Sequence, residues 1–233
     1  MKRLIGLGFG AVVVAVALAA GHPNEANGQS AGLVSSVLNR LQRNHESLRS
    51  LRASITMEKY NAQLRDAEKY YGVVLYLPGK ARNASVRIEW SKPAHEILAV
   101  SSGQYTLFRP RLGVAYRGSA KSSRNKAGSV LDLMDMSQDQ LRRRFQPVQD
   151  VREETLWGGV SSVHLKLVPL GSSEGYKYAE VWIDSSGMPV QAKIVEKNDD
   201  ATTVRLNNLE RNAKISADEF IVKLDPNVKI IKG

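Results

Sequence analysis

The sequence predicts a mainly β domain of the α+β type, in which one curved antiparallel sheet wraps on a few helices. Three observations predict it. One amphipathic helical stretch near the N-terminus gives way to apolar alternation of period two. Gly, Pro, Asn and Asp interrupt that alternation so often that the strands must join through hairpins. A short second helical stretch then splits the strands into two groups, with too little chain between strands for the helical crossovers a parallel sheet needs.

The N-terminus carries a targeting segment over residues 1–19. Lys2 and Arg3 supply positive charge, Leu4 to Leu18 is uncharged and apolar, and Ala17-Leu18-Ala19 places small residues where signal peptidase reads them. Cleavage after Ala19 is the expectation, and an uncleaved anchor helix is the alternative. The run is slightly short of the about 20 residues of a relaxed membrane span, and Gly6, Gly8 and Gly10 weaken it as a helix. Residues 20–32 are polar and small, and read as a mobile arm. A single domain over 33–233 follows.

Leu33 to Leu51 is the amphipathic helix. Leu33, Val34, Val37, Leu38, Leu41, Leu48 and Leu51 recur at helical spacing, while Arg40, Gln42, Arg43, Asn44, Glu46 and Arg49 fill the other side. His45 reads as an ordinary interfacial side chain. From Arg52 to Tyr116 the period is two. Ala53-Ile55-Met57 alternates with polar residues, and Val86-Ile88-Trp90 alternates with Arg87-Glu89-Ser91. Ile97 to Val100 and Tyr105 to Phe108 are further short runs. Turns are expected at Pro78-Gly79, Lys92-Pro93, Ser102-Gly103 and Pro110 to Gly113.

Arg117 to Gly128 is basic and polar, and reads as a loop. Ser129 to Asp132 and Ser137 to Gln140 each match a capping box. Two short helices are expected, at Val130 to Met136 and Gln138 to Phe145. Leu141 and Phe145 fall on one face of the second. Arg142, Arg143 and Arg144 fall largely elsewhere, as a solvated face first and a docking patch second. Strands are then expected at Val160 to Val168, Tyr176 to Asp184, Pro189 to Glu196, Thr202 to Leu209 and Phe220 to Leu224.

The chain has no cysteine and a net charge of +10. Thiol chemistry, cysteine metal sites and acylation of the chain as a lipoprotein are thereby excluded, and an exported domain must be held by burial alone. The positive surface suits anionic lipid or an acidic partner. Nucleic acid is not expected, since no repeated aromatic and basic platform is present. Gly171-Ser172-Ser173-Glu174-Gly175 matches G-x-S-x-G, but it joins two expected strands and no histidine follows it. It reads as a hairpin loop. His22, His45, His95 and His164 are scattered and have no carboxylate at ligand spacing. No cofactor, no metal and no catalytic residue is expected, and the chain is read as a non-enzyme.

Three stretches resemble the periplasmic outer-membrane lipoprotein carrier family (LolA). The first is Val86 to Pro93 with Glu96 to Gly103, similar to that family's arginine-bearing strand, Pro, and apolar strand ending at a Gly turn. The second is the lid-like Val130 to Phe145. The third runs through Val181 to Asp184, Met188-Pro189, Asp199 to Leu206, Phe220 and Pro226 to Ile231, with Asn227 where the family usually has Gly. The resemblance implies an incomplete antiparallel β-barrel with an apolar interior, an N-terminal amphipathic helix and a short helical lid. It implies a monomeric periplasmic carrier of acylated lipoproteins, received from an inner-membrane ABC transporter and passed to an outer-membrane receptor. The implied cavity and lid residues are Val86, Ile88, Trp90, Leu98, Val100, Leu107, Val130, Leu133, Met134, Met136, Leu141 and Phe145. Arg87 falls where the family has the arginine that latches the lid; pairing with Glu89 is the alternative, since alternation does not say which face of the strand is inward. A lipid or glycolipid binder, or an envelope lipid sensor of the same fold, is the second reading. An exported hydrolase and a purely structural envelope protein complete the set.

Overall fold

A computed structural model describes residues 24–79, 84–120, 136–148, 150–171 and 175–233. The targeting segment, most of the basic loop, Val130, Leu133, Met134 and Ser173 lie outside the described residues.

Helix α1 (Asn24–Ser47) opens the fold. The first group of strands follows as β1 (Leu51–Asn61), β2 (Asp66–Leu77), β3 (Ser85–Lys92), β4 (Glu96–Ser101), β5 (Gln104–Arg109) and β6 (Val114–Ser119). Helix α2 (Gln138–Arg144) precedes the second group, β7 (Val151–Leu156), β8 (Val160–Leu167), β9 (Tyr176–Asp184), β10 (Pro189–Glu196) and β11 (Ala201–Arg211). Strand β12 (Lys229–Lys232) ends the chain.

The strands form one 12-stranded sheet in the order β12-β6-β5-β4-β3-β2-β1-β11-β10-β9-β8-β7. Two meanders, β1 to β6 and β7 to β11, meet at the antiparallel β1–β11 seam. The outermost strands β12 and β7 do not pair, so the curved sheet stays open, an incomplete barrel.

Register follows from burial. On β1, Leu51, Ala53, Ile55 and Met57 are buried and alternate with half-buried polar neighbours. A slip of one residue would turn all four to the other face. The inward rows continue as Val74 on β2, Ile88 and Trp90 on β3, Leu98 on β4, Leu165 and Leu167 on β8, Val181 and Ile183 on β9, and Val204 and Leu206 on β11. Val37, Leu38, Leu41 and Leu48 of the α1 segment belong to the same core. Each such Leu or Val contributes roughly 1.5–3 kcal/mol of burial. The inner face is therefore the face that α1 covers.

Helix α2 begins as its capping box requires. Gln140 N–H donates to Ser137 Oγ at 3.3 Å, and Ser137 N–H donates to Gln140 Oε1 at 2.8 Å. Leu141 and Phe145 are buried and Arg142 and Arg143 are exposed, as the spacing predicts.

Several boundaries differ from expectation, among them residues 117–119, expected as loop, which close β6. Helix α1 starts at Asn24, so residues 24–32, expected as an arm, are helical; Ala, Glu and Gln in this stretch tolerate a helix. It ends at Ser47 and not at Leu51. Ser47 Oγ donates to the Asn44 carbonyl and Arg49 N–H to Asn212 Oδ1, and Leu51 already belongs to the inward row of β1. Strand β7 has only Val151 and Leu156 as apolar residues, too few for an alternation to register. Phe220 to Leu224 is not a strand. Ser216 and Glu219 cap a 3-10 turn at Ala217–Phe220, and Val222 and Leu224 then pack with Ile97, Ala99 and Phe108 on the outer face. The chain finally adds β12 parallel to β6, the one parallel pair among the described strands.

Gly187 sets the distance between α1 and the sheet. It sits in the β9–β10 turn at φ +84°, and a Cβ there would lie 2.2 Å from the Arg40 carbonyl oxygen of α1. Gly103, in the β4–β5 turn at φ +73°, faces open space. Gly103→Ala is expected to cost about 1 kcal/mol from its left-handed backbone alone, and Gly187→Ala about 2–4 kcal/mol because α1 must also move. Urea unfolding of the two variants measures the difference; equal costs would mean that α1 does not rest on this turn.

Candidate ligand-binding site

A cavity of about 90 Å³ lies between the C-terminal half of α1 and the inner face. Leu41, Asn44, His45 and Leu48 line it from the α1 side. Leu51, Val74, Tyr76 and Leu206 line it from the strands, and Val86, Met136 and Met188 close it. Apart from Asn44, His45 and Tyr76 the walls named are aliphatic and thioether groups, and unbranched methionines adapt to an irregular ligand. Helical spacing explains the α1 wall: positions 37, 41, 44 and 48 share one stripe, and all four are buried.

Asn44 is 4% exposed although the sequence places it on the polar side of the helix. Its Nδ2 lies 3.6 Å from the Met188 sulfur, across the helix–sheet interface. Asn44 Oδ1 is buried without a hydrogen-bond partner among the described residues.

The structure gathers many of the expected site residues on one face. Val86 and Met136 line the cavity. Ile88, Trp90, Leu98, Leu141 and Phe145 are buried in the core that continues from it, and half-buried Leu107 packs against that core. Val100, which pairs with Val86, is half-buried on the same side of β4 as Leu98. Val130, Leu133 and Met134 lie outside the described residues. Leu41, Leu48, Val74, Met188, Leu206 and Asn44 are cavity residues that the sequence reading did not single out. The helical stripe could have pointed to the first two and to Asn44. Nothing local marks Val74, Met188 or Leu206.

Arg87 stands on the outer face, opposite Ile88 and Trp90. Its Nη2 donates to Glu89 Oε2 at 2.9 Å and its Nη1 to the Glu219 carbonyl at 3.3 Å. Of its two readings, the structure has the pair with Glu89, and from this face the side chain is not placed to hold a cover over the inner one. It ties the C-terminal 3-10 turn to the sheet. Arg87, and then His95 at 3.1 Å, hold Glu89 below the ordinary carboxylate range against the opposing effect of burial.

Two histidines thus find carboxylates that sequence spacing could not reveal. The second is His164, fully buried on the outer side of β8, with Nε2 3.2 Å from Glu180 Oε1 and its ring 4.6 Å from that of Trp182. Among the described residues no cluster of three metal-ligating side chains forms, and no described helix is long and apolar enough to cross a membrane.

The chain belongs to the LolA family: the family model "Outer membrane lipoprotein carrier protein LolA" matches residues 74–223. No functionally curated protein matches it by sequence. Among solved structures it is similar to an uncharacterized conserved protein from Thermus thermophilus, at 12% identity and a TM-score of 0.52, covering 86% of this chain and 99% of that one. It is also similar to MucB in the Pseudomonas aeruginosa MucA/MucB complex, at 14% identity and a TM-score of 0.50, covering 81% of this chain and 60% of that one. LprF from Mycobacterium bovis matches at 14% identity with a TM-score of 0.49, covering 79% of this chain and 95% of that one. At such identities the first two likenesses bear on the fold alone.

Glu180 supplies a pH prediction. The imidazole of His164 beside it, with Lys193 at 3.4 Å, holds its carboxyl below the ordinary value of 4.5 although burial opposes them. A lowered carboxylate stabilises the fold fully above about pH 4.5, and that stability is lost as pH falls through the lower, folded value. Glu180→Gln is expected to lower stability by about 1–2 kcal/mol at neutral pH and to converge on the parent protein in acid. Thermal unfolding across pH 3 to 7 measures this, and a gap that persists in acid would contradict it.

Proposed function

We propose that this protein is a periplasmic carrier that takes up acyl chains of lipoproteins between α1 and the inner face of the sheet, and carries them from the inner to the outer membrane. The observation that supports this best is the apolar, methionine-bordered cavity on the concave face of a LolA-family sheet. Acyl chains gain about 0.8 kcal/mol per buried CH₂, so an acylated client crosses water only if a protein supplies that burial. The proposed partners are an inner-membrane ABC transporter as donor and an outer-membrane receptor as acceptor. The carrier acts as a monomer, without a cofactor and without covalent chemistry.

The cavity at about 90 Å³ is smaller than the roughly 150 Å³ that accommodates a single benzene. Loading therefore requires α1, or the chain around Met136, to separate from the sheet. Helix α1 is suited to this. Its hold on the sheet is side-chain packing, which opens without breaking a β ladder.

A second reading is an envelope protein that binds a lipid or glycolipid and regulates a membrane partner; the likeness to MucB, whose structure is a complex with MucA, supports only the protein partner in it. Mass spectrometry of the gently purified protein, before and after denaturing extraction, separates the two. Acylated peptides released only on denaturation are expected for the carrier, and phospholipid or glycolipid alone for the second reading. Val86→Glu, which places a charge in the cavity wall, is expected to reduce the released lipid at least about tenfold. A ligand-free protein that also fails to extract acylated lipoprotein from membranes would overturn both.

A further inference from the structure

The cavity carries one feature that a simple apolar container does not need. Asn44 is 4% exposed and lines the apolar space, and its Oδ1 has no partner among the described residues. The orientation of the amide follows from its neighbour. The Met188 sulfur has no proton to give and accepts only weakly, so Nδ2 faces it at 3.6 Å and Oδ1 is left as the free acceptor. A buried carbonyl oxygen without a donor is a standing penalty in an apolar site, and leucine at this position would fit the stripe of Val37, Leu41 and Leu48 without it. The next residue, His45, also lines the cavity and is exposed, and its ring carries an N–H. The lining thus holds both an acceptor and a donor, the two kinds of group that an amide's N–H and C=O can meet. An ester or a fatty-acid carboxylate has no N–H to offer.

We propose that Asn44 is a specificity-determining anchor, whose Oδ1 accepts a hydrogen bond from the N–H of an amide-linked acyl chain, so that the cavity prefers N-acylated ligands over ester-linked ones. The inference rests on the acyl-binding reading above and adds the linkage that the site selects. A site that holds an unpaired polar group discriminates against a ligand lacking the matching donor more strongly than an apolar pocket discriminates between chains of similar size.

Two probes of equal chain length isolate the N–H: N-methyldodecanamide, which has it, and methyl dodecanoate, which replaces it with oxygen. Isothermal titration of the whole chain is expected to give roughly tenfold tighter binding of the amide than of the ester. In Asn44→Leu the preference is expected to vanish through weaker binding of the amide, while the ester binds as well or better. Equal affinities in the parent protein, or a preference that survives in Asn44→Leu, would overturn the anchor and leave the carrier reading intact. Failure of both probes to bind the parent protein would overturn the carrier reading and the anchor together. The comparison in the parent protein decides the matter even if Asn44→Leu does not fold.

Discussion

An open sheet of 12 strands has an inner face that must be kept from water, and here α1 covers it, with Leu141 of α2 and Phe145 adding to the same core. The packing of α1 against that face is the interaction on which the rest depends. It explains why β1, next to α1 in the chain, lies at the centre of the sheet with its inward row buried. It explains why the β9–β10 turn approaches so closely that position 187 has no room for a side chain. It also explains the location of the cavity, which lies where α1 nears its end over the inner face.

The outer face is handled differently. Its stabilising contacts are short-range and mostly polar: Arg87 with Glu89, Glu89 with His95, and His164 beside Glu180. The small apolar patch of Ile97, Ala99 and Phe108 is covered by Val222 and Leu224 of the C-terminal chain after the 3-10 turn. That chain is held by Arg52 and Arg87 at Glu219 before β12 joins the edge of β6. The inner face is thus left mainly for apolar contacts; its polar groups include Asn44 and His45, Lys59 with Tyr70, and Arg109 with Glu96. A sheet organised in this way can part from its helix without disturbing its ladder, since the two are joined by side chains and not by a shared ladder.

Much of this was legible in the sequence because each part rests on local chemistry. Alternation on β1 and β3, the left-handed turn at Ser102-Gly103 and the Ser137 capping box are read from adjacent residues, and the structure contains all three. What was not legible is long-range. The alternation of Val86 to Ser91 does not reveal which face turns toward α1, so Arg87 remained undecided between latch and pair. Phe220, Val222 and Leu224 alternate like a strand, but they pack on the face of a sheet and not at its edge. Asn44 looks polar by type and is buried by position, because only the stripe through Leu41 and Leu48 places it inward. Met188 reaches the cavity through the β9–β10 turn, from a point 144 residues further along the chain.

The acyl chain is proposed to lie between α1 and the inner face. A lipopeptide bearing a photoreactive group along its acyl chain, bound and irradiated with the whole protein, tests it by mapping the cross-linked residues. Adducts are expected on Leu41, Leu48, Val74, Val86, Met136, Met188 and Leu206. Adducts confined to outer-face residues such as Tyr71, Val73, Ile97 and Val222 would contradict it, and would place the lipid on the side of the sheet that α1 does not cover.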